Sequence, residues 1–157
     1  LVATYRTLEL IELEALKKEF IDFLVLNGIP ADEWERIKKD DIQSANATID
    51  LFSDIVFDSI MRKAKFLEFR DAKHLHVFQC LPDQLVLVAM EAHKDEEIDF
   101  LNPDFISSAM LTPPKSVKIF TTTKNYSKTR ELELFEMIQN GCIITDDRLF
   151  KALCLVL

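Results

Sequence analysis

The sequence predicts an α+β fold: a single domain, 1–157, whose helical N-terminal half packs on a small, largely antiparallel sheet, with C-terminal helices completing the core. Three observations predict it. Apolar residues recur at helical spacing through the first sixty residues. The period then drops to two over 65–92, around a clear hairpin. Beyond that, short helical and extended stretches alternate without the regularity of βαβ winding.

The first helix is expected over 8–27, with Thr7 as N-cap and Gly28 just past its end. Leu13, Leu16, Phe20, Phe23 and Leu24 form its apolar face, and Glu12, Glu19 and Asp22 lie outside. Pro30 restarts the chain into a second helix, 31-ADEWERIKKD-40, acidic in its first turn and basic in its last, which suits the helix dipole. A third helix spans 44–63. The stretch 65-KFLEFR-70 reads as an edge strand. Then comes the hairpin: 74-HLHVFQCL-81, a three-residue turn 82-PDQ-84, and 85-LVLVAMEA-92, whose two apolar faces mark an interior strand. A charged loop over 93–99 leads to a helix near 103–111, ended by Pro113 and Pro114. A strand at 116–122, a helix at 127–140 with Ser127 as N-cap, a brief extended piece at 142–144 and a last helix from Asp146 complete the order.

Composition narrows the function. With 48% apolar residues and 12 Phe, disorder is excluded. The net charge of −8 opposes binding to nucleic acid or an anionic membrane. The charge is uneven: residues 1–60 hold 13 acids and 6 bases, whereas 115–157 hold 5 acids and 7 bases, so an anion-binding surface belongs to the last third. Cys80, Cys142 and Cys154 are scattered, as buried thiols in a reducing compartment would be, and no apolar run approaches the ~18 residues of a membrane helix. A cytoplasmic protein without cofactor is expected. Gly28 and Gly141 are the only glycines, and both are used to end helices. None is left for a phosphate loop, a dinucleotide fingerprint or a nucleophile elbow.

Three stretches, 20-FIDFLVLNGIPADEWERIK-38, 50-DLFSDIVFDSI-60 and 66-FLEFRDAKHLHVFQ-79, resemble a family of small, acidic, uncharacterised bacterial proteins, and the similarity covers most of the chain. The resemblance brings no catalytic residues. Some relatives carry a histidyl-tRNA synthetase label. This chain is far too short for that class, is acidic, and lacks the paired arginine motifs that hold ATP, so the label is read as mistaken.

Four places hold residues of chemical interest. His74 and His76 alternate on one strand and face one side, as two ligands of a metal would. A three-residue turn sets His76 against Met90, His74 against Ala92 and His93 on the opposite face, whereas a two-residue turn sets Glu91 across from His74. The bland reading is two half-exposed strand histidines. Asp50, Asp54 and Asp58, at i, i+4 and i+8, form one acidic stripe on an otherwise apolar helix. It is either a carboxylate cluster for a metal or basic partner, or a solvated face. The stretch 115-KSVKIFTTTKNYSKTR-130 has five bases and no acid. Lys124, Ser127, Lys128 and Arg130 at a helix start would suit a phosphate, or would pair with the chain's own acids. Asp146 and Asp147, in 143-IITDDRLFKAL-153, resemble the acidic turn of metal-dependent nucleases. No early apolar strand supplies the partner carboxylate, and Thr145 as cap with both aspartates in the first helical turn explains them locally.

The leading expectation is a non-enzymatic protein-interaction or self-associating module. The alternative is a metal- or phosphate-binding protein, or small enzyme, using the His/Asp groups.

Overall fold

The computed structural model describes residues 3–92 and 97–157. The fold is α+β, with helices at both ends of the chain and a five-stranded antiparallel sheet. The chain divides into two compact units, 1–60 and 61–157.

The first unit is helical: α1 (Leu10–Ala15), α2 (Lys17–Leu26), α3 (Ala31–Asp40) and most of α4 (Ile42–Lys63). The predicted single first helix is two. It breaks at Leu16, with φ −104° and ψ 23°, although neither Gly nor Pro marks the place. It also starts later than predicted. Glu9, not Thr7, stands at the N-cap, and its N–H donates to Glu12 Oε1 at 2.9 Å. Thr7 is drawn off because its hydroxyl donates to Asp50 of α4. Gly28 closes α2 as predicted. Its φ is +72°, its N–H reaches Val25 O, and Ile29 N–H reaches Leu24 O, the two bonds of a Schellman cap. The unit's core is aromatic: Phe20 meets Phe52 edge-on at 4.9 Å and Trp34 at 5.2 Å, and Phe23 lies 5.3 Å from Phe52. Such pairs add about 0.5–1.5 kcal/mol each beyond burial.

The second unit is built on the sheet, in the order β4-β3-β2-β1-β5. Its strands are β1 (Phe66–Arg70), β2 (His74–Cys80), β3 (Gln84–Glu91), β4 (Lys118–Asn125) and β5 (Ile143–Thr145). Helices α5 (Pro103–Leu111), α6 (Arg130–Gln139) and α7 (Arg148–Val156) complete it. One sheet face carries Leu75, Val77, Val88 and Met90, packed with Phe100, Ile106 and Ala109 of the 98–109 region and Leu153 of α7. Each of these side chains larger than alanine contributes about 1.5–3 kcal/mol by leaving water.

Four sequence expectations are corrected here. First, β1 is not an edge strand, because β5 pairs along its outer side, Leu67 opposite Ile144. Second, the hairpin turn has two residues, Pro82 and Asp83. Leu81 N–H donates to Gln84 O at 3.0 Å, and Gln84 opens β3. Two-residue hairpin turns usually advertise themselves by Gly or Asn, and this one uses proline with no left-handed residue. Third, the strand expected over 116–122 lies over Lys118–Asn125, ending three residues further on, in eight consecutive pairs with β3. Fourth, α6 begins at Arg130 with Thr129 before it, so Ser127 is not the N-cap, and α7 begins at Arg148, with Thr145 still in β5.

Candidate functional site

The two-residue turn sets the geometry of the histidines. It places His74 opposite Glu91 and His76 opposite Ala89, on the sheet face away from the α5–α7 core. Their rings lie 5.7 Å apart and nearly perpendicular, at 85°. Each imidazole meets a carboxylate. His74 Nδ1 sits 2.8 Å from Asp71 Oδ1, and His76 Nε2 sits 3.0 Å from Glu91 Oε1. Burial would raise the Asp71 carboxyl, but the Lys73 amide and the His74 imidazole outweigh it and hold it below its ordinary value. All four side chains are at least half covered. Among the described residues no three His, Cys, Asp or Glu side chains are arranged to hold a metal ion. His93, expected to face away from the pair, lies outside the described residues.

The acidic stripe belongs to the first unit and is not a bare surface. Residues 4–8 run along it. Asp54 accepts two successive backbone N–H groups, from Thr4 at 2.8 Å and Tyr5 at 3.0 Å, one on each oxygen. Asp58 accepts the Tyr5 hydroxyl at 2.9 Å, and Asp50 accepts that of Thr7. Between them Ser53, fully buried, accepts the Leu8 N–H at 2.9 Å and donates to Ile49 O. Arg6 lies over the Phe57 ring at 4.6 Å and forks onto Glu12, which holds the Glu12 carboxyl down at about 2.

The basic segment is likewise spent inside the molecule. Glu133, on the first turns of α6 and buried, receives Lys124 Nζ at 2.5 Å, Ser127 N–H at 2.9 Å and the Ser127 hydroxyl at 3.3 Å. Burial pushes its carboxyl up, but Lys124 and Ser127 more than reverse that, leaving it lowered. Lys128 pairs with Glu136 at 2.5 Å. Arg130 donates to four backbone carbonyls: Met61 at 2.9 Å, Ala64 at 2.5 Å, Cys80 at 3.0 Å and Leu81 at 3.2 Å. Two of these lie at the end of α4, where the Met61 carbonyl otherwise receives, among the described residues, only the Ala64 N–H at 3.3 Å and a cation suits the dipole. Tyr126 adds its hydroxyl to Leu81 O at 2.7 Å, and burial pushes that phenol up to about 12. Burial also pushes the Cys80 thiol up to about 11, well away from a reactive thiolate.

Asp146 and Asp147 turn to their own neighbours. Asp146 accepts the Arg148 N–H at 3.0 Å and meets its guanidinium at 2.8 Å, while Asp147 pairs with Lys151 at 2.5 Å.

Sequence reasoning missed one feature. In the first unit a groove of about 540 Å³ runs between α1–α2 and α3. Its walls are Leu13, Phe20, Leu24, Ile29, Trp34 and Ile49; Glu14, Lys17, Glu35 and Lys38 stand exposed along its rim. Leu10, Ile21 and Val25 line it while well exposed themselves. The signal was present in the sequence. Leu10, Ile21 and Val25 lie outside the apolar face that Leu13, Phe20 and Leu24 define, so α1–α2 carries more apolar surface than one core can cover.

The sequence profile of a family of unknown function (DUF6495) matches residues 3–157. The chain belongs to that family. Family membership thus takes in both units, the imidazole pair and the groove alike, and it brings no assigned activity. Neither the curated proteins nor the solved structures yield a match to the chain. Among the described residues no helix is long and apolar enough to cross a membrane.

Proposed function

We propose that the chain is a non-enzymatic, cytoplasmic protein-interaction module, and that the groove of its helical unit holds an amphipathic helix of a protein partner. The observation that carries this reading is the apolar groove with exposed Leu10, Ile21 and Val25 along it, at 86%, 49% and 65% of full exposure. Isolated exposed apolar side chains are ordinary, but a contiguous set beside an apolar groove marks a binding surface. Two helix walls with apolar anchors at one-turn intervals suit a helix better than an extended peptide. The mixed charges on the rim would set register and orientation.

The test uses Val25→Asp, which puts a carboxylate into the groove at an exposed position and leaves the core alone. The wild-type chain retains a specific partner from native lysate, the variant loses it, and a helical peptide cut from that partner shifts Trp34 emission in the wild type only. Equal retention by both chains, or a partner peptide that leaves Trp34 unchanged, sinks the reading.

A second reading rests on the paired imidazoles and their carboxylates: a small-ligand site, for a metal or an acid–base reaction, at His74 and His76. A thermal-shift screen with divalent metals and inorganic phosphate tests it. A shift in the wild type that disappears in His76→Ala supports it, and no shift with any of them removes it.

A further inference from the structure

The two edges of the sheet are built differently. At one end β5 is three residues long, too short to template another chain. At the other end β4 has eight residues and, among the described residues, no strand pairs along its outer side. That is about 26 Å of edge, from roughly 3.3 Å per residue. An edge strand offers its outward N–H and C=O groups to any chain that can pair with it, and proteins commonly blunt such edges with proline, bulges, a central lysine or a covering segment. Between Ile119 and Thr123, β4 carries no proline, no charged side chain and no break in its register with β3. Its eight residues pair with β3 in unbroken register, and six of the eight are exposed. The run of three threonines is of high strand propensity and is exposed on both sheet faces.

We propose that β4 is a self-pairing edge, through which two copies of this chain join antiparallel about a two-fold axis at Thr122 into one continuous ten-stranded sheet. A two-fold perpendicular to a sheet keeps each face on its own side, so it must pair residues of equal parity. Centred on Thr122, it sets Thr122 against its copy, Thr121 against Thr123, Phe120 against Lys124 and Ile119 against Asn125. No like charges then stand opposite, and cross-strand threonine pairs are favourable. Centred one residue earlier it would set Lys118 against Lys124, which is unfavourable. The local charge permits the approach. Lys124 is compensated by Glu133 and Lys128 by Glu136, and the Lys118 ammonium lies over its own Phe120 ring at 5.0 Å. The bases that looked like an anion site are thereby neutralised within each copy. At long range the two net charges of −8 repel, so added salt strengthens the pairing. A strand edge alone is a small interface, which makes the dimer weak and concentration-dependent.

β4 shares no residue with the groove, so pairing at the edge and binding in the groove are tested independently. Sedimentation velocity from micromolar to millimolar concentration is the test, on wild type, Thr122→Lys and Thr122→Glu, with circular dichroism to verify folding of each. Wild type dimerises with rising concentration, each charged variant stays monomeric because it brings like charges together at the two-fold, and an equimolar mixture of the two dimerises again. Thr122→Val, uncharged and better in a strand, tightens the dimer. A wild type that is monomeric throughout overturns the proposal, even if an extended foreign peptide binds the edge. So does dimerisation of Thr122→Lys alone, or a mixture that stays monomeric.

Discussion

Two charged segments of this chain carry ligand-like patterns in sequence, and both are satisfied by the chain itself, in opposite ways. The acidic stripe of α4 receives neutral donors, the backbone N–H groups and hydroxyls of residues 4–8, at a partly exposed seam. The basic segment around β4 and α6 sends charged donors inward, onto a buried carboxylate and the carbonyls that end α4 and β2. The difference shows what decides whether a charge cluster is a site. A stripe of like charges is no evidence of a ligand until the chain's own donors have been counted, and the count differs with burial. Exposed acceptors hold a segment that water can replace. Buried ones leave a cost when a partner is removed.

That contrast sets an order of effects. Arg130→Ala should cost the most, roughly 3 kcal/mol or more, since it strips a charged donor from four carbonyls at once. Urea titration measures it, and Arg130→Lys should recover only part, because one ammonium cannot span the fork. Glu133→Gln comes next, at roughly 1–3 kcal/mol, and it carries a pH signature. The Glu133 carboxyl is lowered in the folded chain, so its contribution is present above the ordinary carboxylate range and is lost as pH falls through its folded value. Melting temperature against pH should therefore flatten on the acid side in the variant. Asp54→Ala is the smallest, about 1 kcal/mol or less, with faster amide exchange confined to Thr4 and Tyr5. The contrast between buried and exposed seams breaks if Asp54→Ala costs as much as Arg130→Ala.

Much of the architecture was legible because its causes are local. Gly28 and Gly141 end their helices with φ of +72° and +111°, and each carries a Schellman pair of bonds, as their positions after amphipathic runs implied. The β2–β3 hairpin and the 103–111 helix follow from period and proline alone. What escaped was non-local or ambiguous. β1 became interior because three residues more than seventy positions later pair beside it. Pro82-Asp83-Gln84 fits two turn lengths, and the choice of one residue moved Glu91 from a bystander to the position opposite His74. The capture of Lys124 and Ser127 depends on Glu133, which reads in sequence as one more helix-surface acid but is buried. The acidic stripe found its partner in residues 4–8, of which only Thr7, as a cap, and Leu8, as the first residue of a helix, were given a role from sequence.

The Arg130 guanidinium also has a consequence in time. Its acceptors at the end of α4, Ala64 and Met61, were made 66 and 69 residues before it. At about 5–20 residues per second, a ribosome delivers Arg130 roughly 3–14 s after the carbonyls it will close. Through that interval the end of the longest helix is unfinished, and it stays so until the start of α6 arrives.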